Sequence, residues 1–185
     1  MADTTQPTKM SNPAPLGLLG FGMTTVLLSL HNAGILELDG ITLAMGAFVG
    51  GLAQVLAGIM EYRNGNTFGT VAFTLYGMFW LTFVSTHLGI PGMQFAESSI
   101  GTYLILWGIL TLFLFMGTVK GRKSTMLVFG TLTITFMLLA AGHLGGVDGL
   151  LTAGGFVGVV CGLLAMYTAF AEVLSEQHGR EVLPF

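Results

Sequence analysis

Charge is what this chain of 185 residues has least of: six Lys and Arg and nine Asp and Glu, 8% of the total. With 53% hydrophobic residues and a mean hydropathy of +0.82, it cannot give a water-soluble domain its polar surface, and the solvent that fits it is a lipid bilayer. The single cysteine, Cys161, excludes an intramolecular disulfide; it lies inside an apolar run and is read as packing. There is no phosphate-binding glycine loop, no His/Cys/carboxylate set at metal-ligand spacing and no paired nucleophile and base, so an integral membrane enzyme is the least favoured class. No cofactor, metal or nucleic acid is expected. Lys and Arg are also missing from the apolar runs, so an anion inside the bilayer would meet only weak, neutral contacts.

What is present is length and apolarity. Six runs, read as helices over 13–35, 41–62, 68–89, 99–119, 124–145 and 150–174, each approach the roughly 20 residues that a spanning helix needs. They define a transmembrane domain over 12–175, a flexible tail over 1–11 and a second tail over 176–185. The first run does not read as a signal peptide, because Asp3 accompanies Lys9 on its flank, it is too long, and five more spans follow. Lys9, Arg63, Lys120, Arg122, Lys123 and Arg180 all fall on one side, opposite Glu37, Asp39, Glu97 and Asp148. The positive-inside rule then puts both termini in the cytoplasm.

A period runs through the spans. His31, His87 and His143 are 56 residues apart and again 56, with Gly34, Gly89 and Gly145 close behind, so the chain reads as three helical hairpins. Two spans per unit give parallel repeats about an axis along the membrane normal, with a central path. Offsets of 55 and 56 place Phe21, Tyr76 and Leu132 at equivalent depth, able to ring that path. Small residues crowd the second span (Gly46, Gly50, Gly51, Gly58) and the sixth (Gly154, Gly158, Gly162); they suit close packing within the chain or between copies.

Several polar residues could carry chemistry, each with an ordinary alternative. Asn12 is suited to cap the first helix and Pro13 to open it, so the start at Asn12, Pro13 and Ala14 would present free N–H groups to a carboxylate, or simply be a cap. Thr24, Thr25 and Ser29, with Thr82, Ser85 and Thr86, could line a polar vestibule or bond their own backbones. His31, His87 and His143 could cap helix ends or form an outer ring that titrates near neutrality. Glu61 and Glu172 occupy equivalent helix ends, either as interfacial charges, with Glu61 near Arg63, or as proton-coupling groups. Gln54 lies deeper and is expected to hydrogen-bond across helices.

Motifs narrow the choice. Asn12-Pro13-Ala14-Pro15-Leu16-Gly17-Leu18, Gly20-Phe21-Gly22-Met23-Thr24-Thr25 and Leu30-His31-Asn32-Ala33-Gly34 resemble the signature of the acetate uptake transporter family, which includes the succinate-acetate permeases. The resemblance continues through Glu61-Tyr62, Gly65-Asn66-Thr67-Phe68-Gly69, Gly117-Thr118, Lys120-Gly121, Glu172-Val173-Leu174, Gly179-Arg180 and Leu183-Pro184. It implies a homo-hexamer in the plasma or inner membrane. Phe21, Tyr76 and Leu132 match the hydrophobic constriction of the family's pore, and such a constriction gates by dewetting. The implied cargo is acetate and related small carboxylates, succinate being a candidate, moved with a proton or as the protonated acid. A passive channel for urea or ammonia is the alternative; a membrane sensor or scaffold stands behind both.

Overall fold

The computed structural model describes residues 10–92 and 96–184, and only the backbone of Glu97. Lys9, most of the expected 1–11 tail and the side chain of Glu97 lie outside the described residues. Among the described residues, six helices are long and apolar enough to cross a bilayer. They are α1 (Ala14–Asn32), α2 (Gly40–Arg63), α3 (Thr67–His87), α4 (Glu97–Thr118), α5 (Lys123–Gly145) and α6 (Asp148–His178). No strand occurs among the described residues.

Helix starts follow local hydrogen-bond chemistry. Asp39 caps α2 by accepting from the Thr42 amide at 3.0 Å, a bond that holds its carboxyl below the usual range. Asn66 caps α3 by accepting from the Gly69 amide at 3.1 Å. Asn12 is not the cap of α1. Pro13 holds that position, and Asn12 Oδ1, one residue earlier, accepts from the Ala14 amide at 3.0 Å. The reason is that Pro13 has no N–H to offer, so the first donor within reach of the Asn12 side chain is two residues on, an Asx turn.

Helix ends differ from the apolar runs. α1 stops at Asn32 instead of 35, with Gly34 at φ 75° turning the chain. α6 continues beyond 174 through polar Ser175-Glu176-Gln177-His178 and ends at Gly179, φ 64°. Hydropathy marks where a helix leaves lipid, whereas a left-handed glycine marks where it stops. The last residues fold back on α6, with Tyr167 Oη donating to the Pro184 carbonyl at 2.7 Å.

Close backbone approach occurs between α1 and α6, α5 and α6, α4 and α5, α2 and α3, and α1 and α2. The glycines of α6 serve these contacts inside the chain. A Cβ at Gly22 would stand 2.7 Å from the Gly162 carbonyl oxygen, and one at Gly162 would stand 2.7 Å from that of Gly22. Gly22→Val should therefore separate α1 from α6 and destabilise the fold by about 1–3 kcal/mol, the usual range for overpacking. Thermal unfolding in detergent measures it; an unchanged midpoint would refute this contact.

The second span is not uniform. Gly46–Ala53 is a π-helical segment, whose wider turns let Gly46 and Gly50 lie against Val84 and Trp80 of α3. Gln54 follows it and does not bond across helices: its Nε2 donates to the Gly50 carbonyl at 2.6 Å. That carbonyl lies one turn back in the same helix, and the Gln54 Oε1 atom is buried with no hydrogen-bond partner.

α3 and α4 are not among the pairs with close backbone approach. Rings fill the space between them. Phe79 and Tyr103 stack at 5.6 Å, Tyr76 and Trp107 lie 6.0 Å apart, and Tyr103 Oη donates to the Phe79 carbonyl at 3.2 Å. Outward faces carry large apolar side chains such as Phe48 and Phe113, each 67% exposed, the surface a lipid-facing helix presents.

Candidate functional site

A cavity of about 500 Å³ lies among α1, α3, α4 and α5. Along α1, α3 and α5 its lining runs from His31 with Asn32, His87 and His143 to Phe21, Tyr76 and Leu132. Ten or eleven residues separate the two levels, about 15 Å along a helix at 1.5 Å per residue. The three deep residues are buried, belong to one apolar cluster and form the floor, with the Phe21 and Tyr76 rings 5.8 Å apart.

Hydroxyls stand between floor and mouth, though not all those expected. Thr25, Ser29, Thr82 and Thr86 line the cavity. Thr24 does not: it is fully buried and donates to the Gly20 carbonyl at 2.9 Å, on the side of α1 that packs against α2. Ser85 does not either, and its hydroxyl donates to the Thr82 carbonyl at 2.7 Å. Thr135 of α5 is a lining hydroxyl that sequence reasoning missed. Its position three residues past Leu132, one turn toward His143, was the available signal. Also missed was the wall supplied by α4, through Ser99, Ile100, Tyr103 and Leu104. That helix has no histidine to join the 56-residue period, so nothing in the pattern pointed to it.

All three histidines line the cavity, and His31 and His87 also bond locally. His31 Nδ1 lies 3.1 Å from the Leu36 carbonyl oxygen and His87 Nδ1 lies 2.9 Å from that of Phe83. Among the described residues, no Lys, Arg, Asp or Glu lines this cavity.

The opposite end of the bundle holds the two glutamates, in unlike settings. Glu172 of α6 is bridged: Asn12 Nδ2 donates to its Oε2 at 2.8 Å, and Arg122 pairs with its Oε1. With its oxygen on Ala14 and its nitrogen on Glu172, the Asn12 amide faces a carboxylate that belongs to the chain itself. Pro13 beside it is buried and Ala14 half-buried. Glu61 is not an interfacial charge beside Arg63. It is 3% exposed, accepts from Asn66 Nδ2 at 2.9 Å through Oε2, and has no partner for Oε1. The physical reason is Gly69: a Cβ there would stand 2.7 Å from Glu61 Cδ, so the missing side chain makes a notch that draws the carboxyl into the bundle.

Relatives match this architecture along nearly its whole length. The succinate-acetate/proton symporter SatP of Escherichia coli (strain K12) is 54% identical over 184 residues, 96% of each chain. Ammonia transport outward protein 2 of Saccharomyces cerevisiae is 36% identical over 181 residues, 92% of this chain and 64% of that one. The solved structure of the bacterial acetate channel SatP superposes with a TM-score of 0.92 at 52% identity, covering 96% of this chain and 99% of that one. The profile of the GPR1/FUN34/yaaH family matches residues 2–184. An all-helical, six-span, multi-pass membrane protein with these relatives belongs to the GPR1/FUN34/yaaH family.

Proposed function

We propose that the chain carries acetate and related small carboxylates, succinate among them, across the plasma or inner membrane, with a proton or as the protonated acid. The observation that carries this is the cavity itself: hydroxyls on its wall, no fixed cation among the described residues, and an apolar floor at Phe21, Tyr76 and Leu132. An apolar constriction makes a bare anion expensive to move and a neutral acid cheap. The likeness to SatP supports the same cargo.

In this reading the substrate enters past His31, His87 and His143, exchanges water for Thr25, Ser29, Thr82 and Thr86, and crosses the floor as the acid. Glu61, buried on the far side, receives the proton, while Glu172 with Asn12, Pro13 and Ala14 borders the exit. The three hairpins form parallel repeats around this path, both termini face the cytoplasm where the basic loops lie, and six copies assemble, as the family resemblance implies. A second reading, passage of ammonia or urea, takes support from the yeast relative named for ammonia transport.

Counterflow of labelled acetate in proteoliposomes, with and without a pH gradient, tests the choice. Acetate should exchange, accumulate toward the alkaline side and outpace urea and ammonia. Equal rates for urea, or indifference to the gradient, would favour the passive channel.

A further inference from the structure

The floor has a single polar side-chain atom among its three residues, the Tyr76 hydroxyl, and that atom is spoken for by a residue outside the cavity. Tyr76 Oη lies 2.8 Å from Thr111 Oγ1 of α4. Thr111 is fully buried, does not line the cavity, and gives its own hydroxyl proton to the Trp107 carbonyl at 2.6 Å. With the threonine proton committed, the phenol is the donor and the threonine oxygen the acceptor. The bond crosses the gap between α3 and α4 that rings otherwise fill, and Phe21, Trp107 and Phe129 hold the Tyr76 ring from three sides at 5.8, 6.0 and 6.2 Å.

We infer that Thr111 is a positioning residue for the constriction: it draws the Tyr76 hydroxyl away from the path, so that the floor shows only carbon and stays dry. The inference rests on the transport reading for its purpose, though not for its geometry. A buried hydroxyl without a partner is costly, so a Tyr76 freed of Thr111 turns its O–H toward the nearest polar space, the cavity. A hydroxyl in a narrow apolar neck recruits water and weakens the barrier to polar solutes. The 56-residue period offers no second clasp of this kind, since the equivalent positions are Val55 and Tyr167, whose hydroxyl is bonded to Pro184.

Urea permeability of proteoliposomes, per monodisperse chain, is the test, because it can be read whether or not acetate is carried. Thr111→Val should raise it about fivefold, the population change expected from one buried hydrogen bond. Tyr76→Phe, which removes the hydroxyl altogether, should leave it low, and adding Tyr76→Phe to Thr111→Val should reverse the leak. Thr111→Ser, which keeps the acceptor, should behave like the parent. General loosening of the α3–α4 contact would not be cured by taking away a further hydroxyl. Ultraviolet resonance Raman difference spectra against Tyr76→Phe provide a second readout: the phenol donor signature should shift in Thr111→Val. An unchanged urea leak, a leak that persists in the double variant, or an unshifted signature would overturn the proposal. Absence of acetate transport in the parent would instead count against the transport reading alone.

Discussion

Replacing both Phe21 and Tyr76 with alanine is expected to turn the cavity into an open passage, raising urea and acetate flux together by at least about tenfold, equivalent to about 1.4 kcal/mol off the barrier. The two rings lie 5.8 Å apart at the deep end of the cavity and are 6% and 4% exposed, so truncating both opens the packing at that end. Selectivity should fall as the rate rises, because the rings act by excluding water and charge and not by binding. Each truncation also removes core packing, at about 3–5 kcal/mol for a buried aromatic, and adjacent sites do not add. The variant should therefore be assayed as the monodisperse fraction. Unaltered flux and selectivity in properly folded protein would remove these residues from the path.

Glu61→Gln is expected to flatten the pH dependence of acetate uptake, whereas Glu172→Gln should chiefly weaken the fold. The carboxyl of Glu61 is buried, has one neutral donor in Asn66 and carries an unpaired oxygen. An anion so placed lacks compensation, the setting of intramembrane carboxyls that take up and release protons. Glutamine keeps the shape and can still accept from Asn66, so folding should survive and only proton exchange be lost. Glu172 is already compensated by Arg122 and Asn12. Its side chain is 10% exposed and that of Arg122 53%, so the freed guanidinium returns to water and the loss should be only about 1–2 kcal/mol. Uptake against pH, with thermal unfolding as companion, separates the pair. A Glu61→Gln profile matching the parent's would move proton coupling elsewhere, with His31, His87 and His143 the next groups to replace.

How far these outcomes could be foreseen depends on the residue. Offsets of 55 and 56 residues single out Phe21, Tyr76 and Leu132, and all three line the cavity. The same spacing treated Glu61 and Glu172 as equivalent, yet their surroundings differ. What distinguishes them is the notch at Gly69 and the approach of Asn12 and Arg122, contacts made 8, 160 and 50 residues along the chain. Thr24 and Thr25 are adjacent in sequence, yet one packs toward α2 and the other lines the cavity. Thr111 carries no motif, and only its distance to Tyr76 singles it out.

By itself the sequence determined the solvent, the number of spans and the depth of each residue within them. Those follow from local rules, since a bilayer demands about 20 apolar residues per helix and each residue advances the helix by a constant rise. Only the tertiary structure decided which way each side chain faces: the π turn in α2, the internal partner of Asn12, the separate fates of the glutamates, the wall supplied by α4. A soluble helix announces its buried face by being polar elsewhere, but helices apolar all round carry no such signal. In this protein direction is set by where glycines let backbones meet and by which buried polar atoms find partners, both properties of pairs of helices and not of any one.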